Sequence, residues 1–377
     1  MRLAFLTNYL NHHQKPLADE FFSLLGGGNF YFIETTGIPE FRKQLGYQEM
    51  TAPYLVKYSQ ETNEFVKEIV NSFDVVIHGS APLSLVKSRY KQGKLTFCYS
   101  ERRYKTIGRL LYYPIYTYRS YHINKGHLLC ASAYSPTDYF ISGMSPSKCY
   151  RWGYFTDLKQ YNVEELIRRK QIKAQEGVSI LWVGRLIGWK HPQEAIKLAI
   201  KLNNEGIRFT MNIIGTGELE NLIKELILDN NLGDIVHLLG SMSPGEVRTY
   251  MERSDIFLFT SDRHEGWGAV LNESMNSACA VVARDVIGSV PFLVQDGVNG
   301  MVYHKNSELF NKVKFLITHP IERKRVQKEA FNTMQKQWNA KCAAQNFLEL
   351  VRSLQRGEST PFKNGPCSQA PLLGLYK

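Results

Sequence analysis

The sequence predicts an α/β protein of two domains, each built on a parallel sheet. Three observations carry the prediction. Short runs of Val, Ile, Leu and Phe recur along the chain without strict polar alternation, as in strands buried on both faces. Amphipathic helical stretches separate them, and alternation of strand with helix puts helices on the faces of a parallel sheet. The chain has 377 residues, and at roughly 150 residues per domain it calls for two or three cores.

In chain order, the strand-like runs of the first half are 3–7, 30–34, 74–79, 94–99, 127–132 and 149–153. Those of the second half are 179–184, 209–214, 235–239, 256–260, 280–283 and 301–303. The clearest helical stretch is 193–203, with Ala195, Ile196, Ala199, Ile200 and Leu202 on one side. Residues 159–176 are highly charged and nearly lack strand character, which marks a partly helical hinge. The expected organisation is a first domain over 1–155, a hinge region over 156–177, a second domain over 178–335, and a last helix and tail over 336–377 packed on the first domain. Open parallel sheets take ligands at the carboxyl ends of their strands, so chemistry is expected in the loops that follow them.

Composition narrows the class. Hydrophobic residues make up 44% and charged residues 21%, a globular balance. No uncharged apolar run approaches the ~18 residues of a membrane-spanning helix. Six cysteines without a CxxC pair argue against zinc ribbons and a disulfide scaffold. With no signal-peptide pattern at the start, a reduced, cytoplasmic protein is expected. The net charge of +11 is uneven: residues 1–160 carry 19 Lys/Arg against 12 Asp/Glu. An anionic partner of the first half is expected.

The strongest chemical signal is the run from Asp262 to Glu273, which follows the strand 256–260 and opens a helix. Glu265 precedes that helix and Glu273 lies inside it. Gly266 and Gly268 keep side chains away from the helix start, so backbone N–H groups of Trp267, Gly268, Ala269 and Val270 could meet a phosphate. A carboxylate such as Glu273 can accept both hydroxyls of a ribose. A second signal is Arg185 at the end of the strand 179–184, with Lys190 five residues on, before His191 and Pro192. Two cations in one strand-to-helix loop can neutralise a diphosphate. A third is Gly215-Thr216-Gly217 at the end of the strand 209–214, which reads as a tight turn with backbone room near a nucleotide base.

These residues, taken in order, resemble the family-4-type glycosyltransferases of GT-B fold. The pattern is Gly-Arg-Leu…Lys, then Gly-x-Gly, then Glu-Gly-aromatic-Gly…Glu with seven residues between the glutamates, then Asp296-Gly297-Val298-Asn299-Gly300. The resemblance is specific over about 178–305 and is one of architecture in the first half. It implies two Rossmann-like domains facing each other across a cleft, with a C-terminal helix crossing back to the first. It implies transfer of a sugar from a nucleotide-diphosphate sugar to an acceptor hydroxyl, with retention of anomeric configuration, in cell-surface polysaccharide or glycolipid synthesis. Arg185 and Lys190 would hold the diphosphate, Glu273 the ribose and Glu265 the donor sugar. The nucleotide-sugar is a substrate, so no cofactor and no bound metal are expected.

The first half departs from the family pattern. Where a Gly-Gly loop is usual after the first strand, Asn11, His12, His13, Gln14 and Lys15 stand. Where relatives place a histidine at the end of a mid-domain strand, Tyr99, Ser100, Glu101 and Arg102 stand, and His78 is the nearest other imidazole. His12, His13, Gln14, His78, Ser100, Glu101 and Arg102 are therefore the candidates to line the cleft from the first domain. The segment 102–127 holds six Lys/Arg, six Tyr and no Asp or Glu. Such a segment suits a lipid-linked acceptor or the anionic inner face of a membrane; the same composition also suits single-stranded nucleic acid, or an amphipathic helix whose apolar side is core and whose basic side is solvated.

Three other classes fit less well. An NAD oxidoreductase would need a complete GxGxxG with a later acidic residue. A nucleic-acid-binding protein would explain the charge but not the Glu265/Glu273 pair, which repels phosphate. A nucleotide-sugar epimerase sharing the GT-B fold would convert donor with no acceptor present.

Overall fold

The computed structural model describes residues 1–40, 48–103, 121–172 and 177–374. It divides into two compact units, Met1–Asp157 with Trp338–Lys377, and Leu158–Gln337.

The first unit contains β1 (Leu3–Thr7), α1 (Lys15–Leu25), β2 (Phe30–Glu34), β3 (Leu55–Lys57), α2 (Asn63–Ser72), β4 (Val75–His78), α3 (Leu83–Lys91), β5 (Thr96–Ser100), β6 (His127–Cys130), α4 (Ser135–Ile141) and β7 (Cys149–Arg151). All seven strands pair parallel, in the order β3-β2-β1-β4-β5-β6-β7. Every residue of β1 is buried, as its continuous apolar run requires. Pro16 suits the first turn of α1, where a missing N–H costs nothing. The short edge strand β3 was not foreseen; three residues carry too little pattern.

Arg89 is a structural surprise. It is wholly buried, and its guanidinium donates to the carbonyls of Val70, Phe73, Asp74 and Leu95 at 2.7–3.1 Å. Val70, Phe73 and Asp74 lie at the end of α2 and the entry to β4, and Leu95, which also accepts from Val76 N at 3.3 Å, at the entry to β5, so one cation ties these chain ends together.

The second unit contains α5 (Val163–Ile172), β8 (Val178–Val183), α6 (Pro192–Asn204), β9 (Phe209–Ile214), α7 (Glu220–Asp229), β10 (Val236–Leu238), α8 (Pro244–Arg253), β11 (Ile256–Phe259), α9 (Val270–Asn276), β12 (Ala280–Arg284), α10 (Val290–Leu293), β13 (Met301–Tyr303), α11 (Asn306–Thr318) and α12 (Pro320–Lys336). Its sheet is also parallel, ordered β10-β9-β8-β11-β12-β13. Ile180, Trp182, Met211, Ile213 and Val282 of the sheet pack with Ile196, Ala199 and Leu202 of α6 and Val313 of α11. On α6 the buried face is Ala195, Leu198, Ala199 and Leu202, the i, i+3, i+4, i+7 set; Ile200 is only partly buried.

Residues expected as a hinge include α5, which belongs to the second unit. Its charges split by side. Glu165 pairs with both Arg168 and Arg169 at the surface. Lys170 turns inward, 2% exposed, and donates to the carbonyls of Met251, Ser254, Ser277 and Ala278 at 2.7–3.1 Å.

After residue 337 the chain returns to the first unit as α13 (Ala340–Gln355), capped by Asn339, whose carboxamide oxygen accepts from Cys342 N at 2.9 Å. Phe347 packs edge-on against Phe21 of α1, 5.6 Å between centroids. The irregular tail then runs antiparallel along β7. Arg151 N donates to Ser368 O, Cys367 N to Arg151 O and Ala370 N to Cys149 O, at 2.8–2.9 Å. A bare sheet edge is thereby covered.

Candidate active site

In the second sheet the order reverses between β8 and β11, which lie side by side. The loops leaving their carboxyl ends meet at this switch point, the place where open parallel sheets take ligands. Arg185 and Lys190 leave β8 there; residues 260–269 leave β11.

Hydrogen bonds stitch the two loops together. Asp262 N donates to Trp189 O at 2.9 Å, and the Thr260 hydroxyl donates to Lys190 O at 2.7 Å. Trp182, buried in the sheet, donates its indole N–H to the same hydroxyl at 2.9 Å. The loop after β8 is also tied to the loop after β9, through Gly184 N to Ile214 O and Leu186 N to Thr216 O. This contact explains the Gly-x-Gly. A Cβ on Gly215 would stand 1.8 Å from Gly184 O, and one on Gly217 2.5 Å from Leu186 O. The room they leave is filled by protein backbone, so the close approach of the two loops is itself a reason for both glycines.

Lys190 and Glu265 form an ion pair, their side chains 13% and 11% exposed. The Ser261 hydroxyl donates to the same carboxylate at 3.1 Å. Arg185 is exposed and, among the described residues, carries no ion pair; its guanidinium lies 5.7 Å from the Trp189 ring centroid. Glu273 is half-buried in the first turn of α9. Gly268 takes φ 83°, and a Cβ there would meet Phe259 at 2.3 Å. Among the described residues, the N–H groups of Gly268 and Ala269 find no acceptor. The Trp267 ring is 1% exposed and donates to Asn272 Oδ1 at 2.9 Å. The indole is part of the core, and only its backbone borders the loop.

Asp262 was passed over in sequence, yet it organises the site. One carboxylate oxygen pairs with His191 Nε2 at 3.3 Å, and the other takes the N–H and Nδ1 of His264, both at 2.8 Å. Burial alone would raise its pKa; the bonds from His191 and His264 outweigh it and hold the group well below the usual carboxylate range. His191 sits in the left-handed region, φ 51°, at the N-terminus of α6. Such strain persists only where the surroundings fix it.

In the first unit the sequence candidates divide. His13 lies parallel to Tyr154, 6.1 Å between centroids, and adjoins His12 at 3.8 Å. The Tyr154 hydroxyl donates to Glu101 Oε1 at 2.6 Å. Gln14 accepts from the Asn11 amide at 3.4 Å beside them. Thus the loops after β1, β5 and β7 bring His12, His13, Gln14 and Glu101 near one another, with Tyr154 as an unforeseen member. The other candidates turn inward. His78 is 3% exposed and bonds the Tyr90 hydroxyl at 2.6 Å; burial pushes its pKa down to about 4. Arg102 is 5% exposed, its guanidinium over the Tyr134 ring at 4.7 Å. The Ser100 hydroxyl donates to Glu101 O. Residues 104–120, most of the basic tyrosine-rich segment, lie outside the described residues.

Among the described residues no cluster of His, Cys, Asp and Glu is arranged to hold a metal ion, and no helix is long and apolar enough to cross a membrane. The six cysteines are free thiols.

Comparison with known proteins bears on the second unit and on the fold. Residues 163–333 match the family described as Glycosyl transferases group 1. The amylovoran biosynthesis glycosyltransferase AmsK of Erwinia amylovora is 35% identical over 126 residues, 32% of this chain and 31% of that protein. The alpha-monoglucosyldiacylglycerol synthase of Acholeplasma laidlawii is 27% identical over 178 residues, 47% of this chain and 42% of that protein. The chain thus spans less than half the length of either relative. Anabaena HepE, solved in complex with UDP, superposes with a TM-score of 0.69 over 94% of this chain and 100% of its own, at 16% identity. The second unit therefore carries a group 1 glycosyl transferase domain, in a chain whose two Rossmann-like units have the GT-B fold.

Proposed function

We propose that this chain transfers a sugar from a nucleoside-diphosphate sugar to an acceptor hydroxyl in the synthesis of a polysaccharide or glycolipid. The observation that carries the reading is the convergence of Arg185, Lys190, Glu265 and Glu273 on the switch point of β8 and β11. Arg185 and Lys190 neutralise the diphosphate, helped by the N–H groups of Gly268 and Ala269. Glu273 accepts the ribose hydroxyls. Glu265, oriented by Lys190 and Ser261, accepts hydroxyls of the donor sugar. The leaving diphosphate is stabilised by these cations without a metal. The acceptor hydroxyl attacks from the face the diphosphate leaves, so configuration is retained, and a diphosphate oxygen takes its proton. UDP, bound by HepE, is the first base to test. The first unit binds the acceptor, through His12, His13, Glu101 and Tyr154. The synthase of Acholeplasma is named for a lipid product, and a lipid-linked acceptor at the cytoplasmic face of a membrane suits the basic first unit.

Calorimetry with UDP, GDP and ADP, without metal, tests the donor site. One of them should bind, and Arg185→Ala should weaken it by roughly 1.5–3 kcal/mol, the scale of a charge-assisted hydrogen bond. Unchanged affinity in the folded variant overturns the diphosphate assignment.

A further inference from the structure

The molecule has five tryptophans. Trp152, Trp182, Trp267 and Trp338 are no more than 3% exposed. Trp189 alone is left partly in solvent, at the carboxyl end of β8. Its backbone is fixed on several sides. It lies in a 3-10 turn, Gly188–Lys190, closed by Lys190 N to Ile187 O at 3.0 Å. Its carbonyl accepts from Asp262 N, and the preceding N–H of Gly188 donates to Glu218 at 3.3 Å. A rigid backbone with a half-exposed indole is poor packing but a well-placed platform.

The ring is used by two cations. Lys190 Nζ lies 4.6 Å from its centroid and the Arg185 guanidinium 5.7 Å. Both are within the ~6 Å at which a cation is drawn to an aromatic face. Long side chains at a loop lose rotamer freedom when ordered. The indole adjoins both cations, and the Glu265 carboxylate also holds Lys190, so part of that cost is met before any anion arrives.

We infer that Trp189 is a positioning residue for the donor diphosphate, holding Arg185 and Lys190 together as one preorganised anion site. The inference rests on the assignment of those two cations to the donor. Trp189 itself touches cations, not the reacting atoms.

The test compares Trp189→Ala, Trp189→Phe and Arg185→Ala with the unaltered protein, titrating each with UDP, GDP and ADP by calorimetry. Trp189→Ala should weaken the nucleotide that binds by about five- to thirty-fold, as loss of cation–π support predicts. Trp189→Phe should stay within about three-fold, because a phenyl face still attracts cations. The double variant with Arg185→Ala should lose less than the product of the single losses, a coupling that a merely structural role would not give. Binding unchanged in Trp189→Ala but lost in Arg185→Ala overturns the inference and leaves the donor reading standing. Equal losses in Trp189→Ala and Trp189→Phe also overturn it. No binding of any of the three by the unaltered protein overturns both.

Discussion

Single residues in the first unit carry a pH dependence. Burial pushes His78 and His127 from 6.5 to about 4 each. His78 pairs with Tyr90, and His127 stacks on Phe97 at 5.1 Å and meets the Tyr150 hydroxyl. Between pH 4 and 6.5 the unfolded chain binds protons at both positions and the folded chain does not. Stability from these groups is therefore present above pH 6.5 and falls as pH drops towards 4. Urea unfolding at pH 7, 6 and 5 should show this, with His127→Gln reducing the slope by about 1.4 kcal/mol per pH unit inside the window. An unchanged slope would mean that His127 keeps its proton in the fold. His78 also shows where residue-level reading fails. A histidine ending a strand looks the same in sequence whether it faces ligand or core. The same holds for Trp267: a ring between two glycines does not reveal which side of the loop it enters. The places of Arg185, Lys190 and Glu265 were readable because they follow strand-like runs, whereas the contacts of Trp189 with Arg185 and Lys190, and of Asp262 with His191 and His264, exist only in the folded loops.

Elements were legible in proportion to their burial. The central strands were found because both faces are apolar, as in β1 and β11. β3, with two half-exposed residues and an exposed lysine, was not. The tail after α13 offered only prolines and glycines, and its role follows from a partner strand about 220 residues earlier in the chain. It covers the edge of β7 with three backbone hydrogen bonds and buries Cys367, Ser368 and Ala370. The Thr137 hydroxyl donates to Leu373 O further along. Ending the chain after Gly357 should keep α13 yet bare that edge. Loss of three net hydrogen bonds and their buried contacts should cost about 2–4 kcal/mol. The bared edge should also drive self-association. Thermal unfolding and light scattering on a sizing column check both. A monomer of unchanged melting temperature would show that the strap is dispensable.

At the scale of the whole molecule, the charge has one address. Residues 75–156 contain twelve Lys/Arg against Glu101 and Asp138, almost the entire excess of +11. The fold takes several of these cations out of play. Arg89 is enclosed by carbonyls, Arg102 lies on Tyr134 and Arg103 on Tyr139. Lys87 and Lys91 of α3 remain exposed, as does Lys125. They are gathered about His122, whose pKa is lowered by burial and by Lys87, Lys125 and Lys91. Tyr121 and Phe140 stand out nearby in sequence, 61% and 49% exposed. Cations with exposed aromatics are the combination that seats a protein at an anionic bilayer, each Lys near the surface adding about 1 kcal/mol. A lipid-linked acceptor would then be met where it lies. Vesicles containing phosphatidylglycerol should sediment the protein at low salt, and neutral phosphatidylcholine vesicles should not. Replacing Lys87, Lys91 and Lys125 together by Gln should weaken that association by roughly 100-fold, at about 1 kcal/mol for each charge. Nucleotide binding should be spared, because none of the three lies in the second unit. Equal sedimentation of variant and unaltered protein would mean that the positive first unit serves a soluble anionic acceptor instead.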